Sequence, residues 1–507
     1  MECKSNAVRM SAKQLTAKTS ANNNNDCNTD TLLNDDVQQV CAPSKTALLL
    51  ELIKNEELFH DEQNNPYITF KNIDHYETWP LDSAKFKEWV SFLFWKNYKK
   101  SIHGPAFIDA LSVLKGKAFY EGSRCKIFTR VGYLDGKIYI NLANKQWQVV
   151  EISKHGWKLL EKSPIKFVGS QNMRALPTPI PQSGNLNLLW KHVNITVELQ
   201  LLVTAWLLDA LLPNTPYPVL LLTGFQGSGK SITQDRLREL IDPSSSNLRN
   251  PPKNSDDIIT AAQNNYLVSY NNVSKLTAEN QDDMCCLSTG GGFAKRRLYT
   301  TGEEVVLDIK RPIIMNGIGD LINRQDLLDR TIAIALPIIN TAGRKSDVEL
   351  DAAFNHELPQ IFTGLLDLLV KVLSYIPSVN LREKPRMASF AILGKALELS
   401  LNLPDGSFEN TYRSNLQESM LSALDSSSVA VAVMNFIKKE QHYKGTYANL
   451  LEVLHWYQPW SQGWPKSPKG LSNALKRLAP ALAITGLRMV FEEKPRNDGY
   501  HIEIFSL

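Results

Sequence analysis

Residues 224–231, Gly224-Phe225-Gln226-Gly227-Ser228-Gly229-Lys230-Ser231, fit the phosphate-cradling pattern G-x-x-x-x-G-K-[ST] at every defined position. No other feature constrains the chain as strongly, because such a loop works only between a buried strand and a helix. The flanks provide both: Val219 to Thr223 is a short apolar run of strand length, and Ile232 to Ile241 has the pattern of a helix. Glycines let backbone N–H groups wrap the phosphates, and the helix N-terminus adds its partial positive charge. In this reading the nucleotide-binding set runs from Gly224 through Ile232, Lys230 neutralises the terminal phosphates and Ser231 holds Mg²⁺. The ligand expected is a nucleoside triphosphate.

A triphosphatase places an acidic residue at the end of a second strand, to hold Mg²⁺ through water and polarise the attacking water. Here that strand is Leu267 to Tyr270, and it ends in Asn271-Asn272. An amide brings no charge and cannot serve as a base, so hydrolysis is the open question. Asp282 and Asp283 follow in a helical segment, where a solvated acidic face competes with a metal role. Asn316 ends an apolar strand after Pro312 and is placed to orient water at the γ-phosphate, with a turn-forming Asn beside Gly317 as the alternative. Arg330, in Asp326-Leu327-Leu328-Asp329-Arg330, is a candidate arginine finger toward a neighbouring subunit, or else a partner of Asp326 or Asp329. Arg386 is a further nucleotide-binding candidate.

At 507 residues the chain is long enough for roughly three domains, and its net charge of +4 is too small to announce a nucleic-acid binder. Six cysteines form no C-x-x-C pair, which fits a cytoplasmic protein, and Leu199 to Leu212 falls short of the ~20 apolar residues of a membrane span. Residues 1–45 read as a disordered polar tail, 46–175 as an α+β accessory domain, and 176–190 as a linker with Pro177, Pro179 and Pro181. An α/β nucleotide-binding core follows over 191–340, then a helical lid over 341–424 and a last domain over 425–507.

Basic residues cluster twice. Lys295, Arg296 and Arg297 open a hairpin expected over 297–309, and Lys310 and Arg311 close it. Nucleic-acid phosphates are natural partners of such a projection, and a solvated hairpin is the alternative. Further on, Ser467-Pro468 starts a helix with Leu471, Leu475, Leu478 and Leu482 on one face and Lys469, Asn473, Lys476 and Arg477 on another. With the helical segments 429–440 and 446–457 before it, this makes three helices followed by the strand-like runs 487–492 and 500–505, which describes a winged helix-turn-helix, a unit that binds DNA or protein.

Taken together, Gly224 to Leu336 resembles the AAA+ P-loop ATPase of the superfamily-3-like primase–helicase proteins carried by phages, plasmids and integrative elements. The resemblance rests on Asn271-Asn272, Thr289-Gly290-Gly291-Gly292, Lys295-Arg296-Arg297, Asn316-Gly317 and Asp326 to Arg330, in that order. Glu57 to His60, Gly156-Trp157, Leu176-Pro177 and Pro385 to Ala388 extend it over nearly the whole chain. It implies ATP and Mg²⁺ as cofactors, a homo-hexamer moving on single-stranded or forked DNA with no membrane, Asn316 as sensor and Arg330 as finger in trans. The departure is Asn271, where that family carries an acid. Three readings follow: a replicative helicase or translocase of a mobile element, a hydrolysis-poor initiator or loader, and a signalling or defence NTPase with a protein-binding winged helix.

Overall fold

The computed structural model describes residues 43–296, 304–319, 321–339, 346–457, 464–492, 494, 496 and 499–506. Most of the expected tail, Arg297 and the turn at Gly302 lie outside them. After helix α1 (Lys45–Leu52) comes a sheet ordered β3-β2-β1-β4, with β1 at Glu57–His60, β2 at Pro66–Asn72, β3 at His75–Pro80 and β4 at Ser123–Arg124. Strand β4 joins β1 in parallel, which requires a crossover, and α2 (Ala84–Tyr98) and α3 (Pro105–Tyr120) supply it. Helix α1 stops at Leu52, and Leu58 and Phe59 pair instead with Ile68 and Tyr67. Leu49, Ile68, Phe70, Phe86, Phe94 and Leu114 form a core belonging to this region alone.

Next come β5 (Ile127–Phe128) and an antiparallel meander of β6 (Val131–Leu134), β7 (Lys137–Asn141), β8 (Val149–Ser153) and β9 (Gly156–Leu160). Strand β10 (Lys166–Phe167) returns to pair with β5. The inward residues of the meander, Val131, Ile138, Ile140, Val150 and Ile152, share one core with helices of the region that follows. The proline-rich connector lies against a long later helix: the Asn185 N–H donates to the Gln360 carbonyl at 2.9 Å. Gly364 permits this approach, because a Cβ there would lie 2.4 Å from the Leu186 nitrogen.

Helix α4 (Val197–Ala210) is buried along its whole length from Leu202, as an apolar-all-round helix must be. A four-stranded parallel sheet follows, ordered β12-β15-β11-β16, with β11 at Val219–Thr223, β12 at Val268–Val273, β15 at Ile313–Gly317 and β16 at Thr331–Ala335. Around it lie α5 (Lys230–Glu239), α6 (Ser255–Asn264), α7 (Ala278–Thr289) and the short α8 (Gln325–Leu328). The Asn254 and Thr277 side chains accept N–H bonds at the starts of α6 and α7, which fixes where those helices begin. The basic hairpin is displaced from its expected place: β13 is Gly292–Arg296 and β14 is Glu304–Asp308, with Arg296 opposite Glu304.

Helix α9 (Asp347–Tyr375) opens on a capping box of Ser346 and Glu349. It has the length and hydropathy of a membrane span. Its apolar face is nevertheless spent inside the protein, with Phe354, Ile361, Phe362, Leu365, Leu366 and Leu369 all fully buried against α10 (Ala388–Ser400) and the meander. Helix α11 (Ser407–Asp425) leads to the last region, ordered α12 (Ser428–Glu440), β17 (His442–Thr446), α13 (Tyr447–His455), α14 (Pro468–Ile484), β18 (Leu487–Phe491) and β19 (His501–Ser506). Its sheet has three strands, β17-β19-β18, where two were expected.

Candidate nucleotide-binding site

The loop between β11 and α5 is built on glycines in conformations that other residues adopt only with strain: Gly224, Gly227 and Gly229 have φ of 139°, 81° and 75°. A Cβ on Gly224 would stand 2.7 Å from the Leu336 carbonyl oxygen and 2.9 Å from Ser228 Oγ. Lys230 begins α5, and its ammonium donates to the carbonyls of Gly224 at 2.8 Å and Phe225 at 2.9 Å, across the mouth of the loop. Burial pushes its pKa below that of a free lysine, so a phosphate group arriving there meets a cation with much to gain from a negative partner.

Ser231 Oγ donates to Asn271 Oδ1 at 2.8 Å. Asn271 reaches it because β12 does not stop at Tyr270: the strand runs on to Val273 through a bulge in which Asn272 takes φ 53°. From the neighbouring strand β15, Asn316 Nδ2 donates to the same Asn271 Oδ1 and to Gln234 Oε1, both at 2.6 Å. Asn316 Oδ1 accepts the Asn272 N–H at 3.0 Å, so its donors and its acceptor are all engaged. Gln234 in turn donates to Ser269 Oγ at 2.7 Å. The loop helix and the two neighbouring strands thus meet through side-chain amides at the carboxyl ends of the strands, where open parallel sheets bind ligands.

Two members of this group carry no mark in the sequence. Asn194, before α4, donates through Nδ2 to the Ser228 carbonyl at 2.9 Å and the Pro337 carbonyl at 2.7 Å, and so clamps the phosphate loop. Gln234 is one helical turn beyond Lys230 and joins Asn316 to β12. Ser228 Oγ is fully buried and has no hydrogen-bond partner among the described residues.

Cradle, cation and unpartnered hydroxyl fit a triphosphate. The fit to Mg²⁺ is poorer: such ions are commonly held by one or two carboxylates beside substrate phosphates. Here Ser231 and Asn271 offer neutral oxygens, and no group of three or more His, Cys, Asp or Glu side chains that could hold a metal occurs among the described residues. Asp282 does not supply the charge, being paired with Arg324 at 2.8 Å.

Arg330 lies elsewhere. It precedes β16, and its carbonyl accepts the Val219 N–H, so it stands at the amino edge of the sheet, roughly 16 Å from the phosphate loop for strands of this length. Its guanidinium pairs with Asp326, which Arg386 also engages. Burial alone would raise the Asp326 carboxyl, but hydrogen bonds from Cys285 and Arg330 and the charges of Arg330 and Arg386 hold it below the usual range. Arg330 Nε is buried with no hydrogen-bond partner among the described residues.

Of the basic residues, Lys295 and Arg296 occupy β13. Lys310 donates to the Asn214 carbonyl at 3.2 Å. Arg311 corrects its assignment to the nucleic-acid set: Nε donates to the carbonyls of Ala262 and Asn265 and Nη1 to that of Lys310, so its guanidinium holds α6 to the base of β15. On α14, Ser467 caps the helix, Leu471, Leu475 and Leu482 are buried, and Lys469, Asn473, Lys476 and Arg477 are all exposed on the other side.

Residues 186–420 match the family model of the actinomycete integrative conjugative element replication protein, and residues 429–505 match that of the AICE RepA C-terminal domain. No curated protein matches the chain. Among solved structures, the A form apo structure of the NrS-1 C terminal region resembles it at TM-score 0.39 and 10% identity, covering 92% of this chain and 100% of that one. A second apo structure of that region, 305–718, does so at TM-score 0.38 and 10% identity with the same coverage.

Proposed function

Since the chain belongs to the replication-protein family of actinomycete integrative conjugative elements, we propose that it is an ATP-binding, DNA-associated AAA+ motor, a helicase or translocase in the replication of the element. One observation carries this reading: Lys230, Ser231, Asn271 and Asn316 converge at the mouth of a glycine cradle at the carboxyl edge of a parallel sheet. Bound there, ATP would supply a phosphoanhydride whose terminal phosphate is within reach of a lysine, a hydroxyl and two amides. Lys230 would exchange its two loop carbonyls for phosphate oxygens. Ser231 would turn its hydroxyl from Asn271 to Mg²⁺. Asn316, held on Gln234 and Asn271, would orient water against the terminal phosphate without acting as a base. Arg330, at the opposite edge of the sheet, can serve only the site of an adjacent subunit, which suits a ring. The exposed basic face of α14 and the hairpin β13–β14 supply the contacts to DNA in this reading.

Asn271 favours a second reading, in which nucleotide assembles an initiator or loader and turnover is slow. ATPase measured with and without single-stranded DNA separates the two. DNA-stimulated turnover that Lys230→Ala abolishes is the outcome expected of a motor. Tight binding of Mg-ATP with no detectable single-turnover hydrolysis would leave the loader.

A further inference from the structure

Helix α2 has two faces of opposite character. Phe86, Val90 and Phe94 turn one side into the core of the first region. Steps of three and four residues through Lys85, Glu88, Phe92, Trp95 and Lys99 trace the other side, with Lys96 one turn beyond Phe92. Phe92 is 60% exposed there and Trp95 51%. The two rings are stacked, with their centres 6.3 Å apart, and the Lys99 ammonium lies 4.4 Å from the centre of the Trp95 ring.

Cations gather at the end of this face. Lys99 caps the helix at φ 52°, its N–H donating to the Trp95 carbonyl at 2.8 Å. Lys100 follows, and Lys45 comes in from α1 to donate to the Ser101 carbonyl at 3.1 Å. Glu88 is the only acidic residue in α2. Among the described residues Lys85, Lys96, Lys99 and Lys100 have no carboxylate partner, whereas Lys115 and Lys117 of α3 pair with Asp82 and Glu121. The positive charge around the two rings is therefore not neutralised within the chain.

We propose that this face of α2 is a platform for single-stranded DNA, on which bases stack against Phe92 and Trp95 while the lysines meet the phosphates. Proteins that hold single strands without reading sequence combine exposed aromatic side chains for the bases with cations for the backbone. A membrane surface would need a continuous apolar face, and the one that α2 possesses is spent on the core. A protein partner would have to bury lysines, which protein–protein interfaces deplete. The platform rests on the DNA association proposed above, and it gives the region before the meander a contact that needs neither bound nucleotide nor α14.

The test titrates the full chain, without nucleotide, against a labelled oligothymidylate and an abasic strand of equal length, read by fluorescence anisotropy across a salt series. Wild-type protein should prefer the strand that carries bases. Trp95 lies outside the core, so Trp95→Ala should leave the melting temperature unchanged and weaken binding of that strand roughly tenfold, the worth of one stacked base. Phe92→Ala should act likewise, Trp95→Phe should restore most of the affinity, and the abasic strand should not distinguish these variants from wild type. Lys96→Ala should reduce the slope of log affinity against log salt by about 0.7, the value for one phosphate on a single strand, and leave the preference for bases in place. A wild-type protein that binds both strands equally, or a preference that neither Trp95→Ala nor Phe92→Ala moves, would overturn the platform. So would binding to phosphatidylcholine–phosphatidylserine vesicles, or an oligomeric mass, that these variants abolish while strand binding stays intact. The motor is read separately: ATPase without DNA stimulation, beside a base preference that depends on Trp95, would remove the motor and leave the platform standing.

Discussion

At the residue scale, the two asparagines of the candidate site are chemically alike and structurally opposite. Asn271 presents an oxygen that only accepts, from Ser231 and from Asn316. Asn316 presents an amide nitrogen that only donates, to Asn271 and Gln234. A carboxylate in place of Asn271 keeps both bonds and makes them charge-assisted, so Asn271→Asp is expected to leave stability within about 1 kcal/mol while tightening Mg²⁺ and raising turnover. A carboxylate in place of Asn316 faces two amide oxygens with nothing to donate, so Asn316→Asp is expected to cost about 2 kcal/mol and abolish turnover. Urea unfolding and Mg²⁺-dependent ATPase on the pair check this; equal losses in both variants would contradict the opposite hydrogen-bonding roles of the two amides. The sequence pointed to each of these asparagines from its place at a strand end. It did not reveal that they touch across 45 residues, nor that Asn194 and Gln234 complete the group, because neither has a neighbourhood that distinguishes it from an ordinary polar position.

At the scale of elements, legibility followed local chemistry. Helix α14, with a capping side chain and a one-sided apolar stripe, begins where its pattern puts it. Helix α3 escaped notice because apolar residues surround it, leaving Ile108 and Tyr120 exposed at 63% and 85% while Leu114 is buried. Strand β17, His-Tyr-Lys-Gly-Thr, has no apolar alternation and exists because β19 pairs with it along its whole length. The consequence for function rests on α14, whose leucines go into the core and so turn its cations outward. Lys476→Ala and Arg477→Ala should each weaken DNA binding for all sequences alike, and each should reduce the slope of log affinity against log salt by about 1 if it meets a phosphate. Leu475, buried in the same helix, is the contrast: Leu475→Ala should lower the melting temperature, whereas the two surface changes should not. Unaltered salt slopes in both surface variants would remove α14 from the DNA interface.

At the scale of the molecule, a buried ion pair joins the meander to the four-stranded parallel sheet. Arg130, with no exposed surface, donates through Nε to Asp242 Oδ1 at 2.8 Å and through Nη1 and Nη2 to the carbonyls of Asn141 and Arg174 at 3.1 and 2.9 Å. Asp242 Oδ2 accepts the N–H groups of Tyr266 and Leu267, at 2.8 and 3.0 Å, where the chain enters β12. The far end of β12 carries Asn271. Removing the guanidinium leaves a carboxylate with little water to replace it, so Arg130→Met should cost about 3–5 kcal/mol, far more than breaking an exposed pair such as Lys117–Glu121. Because Asp242 also fixes the start of β12, the same change should loosen the strand that presents Asn271 and weaken Mg-nucleotide binding at a distance. A double-mutant cycle isolates the coupling: Arg130→Met with Asp242→Asn should be less destabilised than the sum of the single changes, since the second removes the stranded charge created by the first. Strict additivity in urea unfolding, or nucleotide affinity untouched by Arg130→Met, would mean that the meander is attached to the sheet by its apolar core alone.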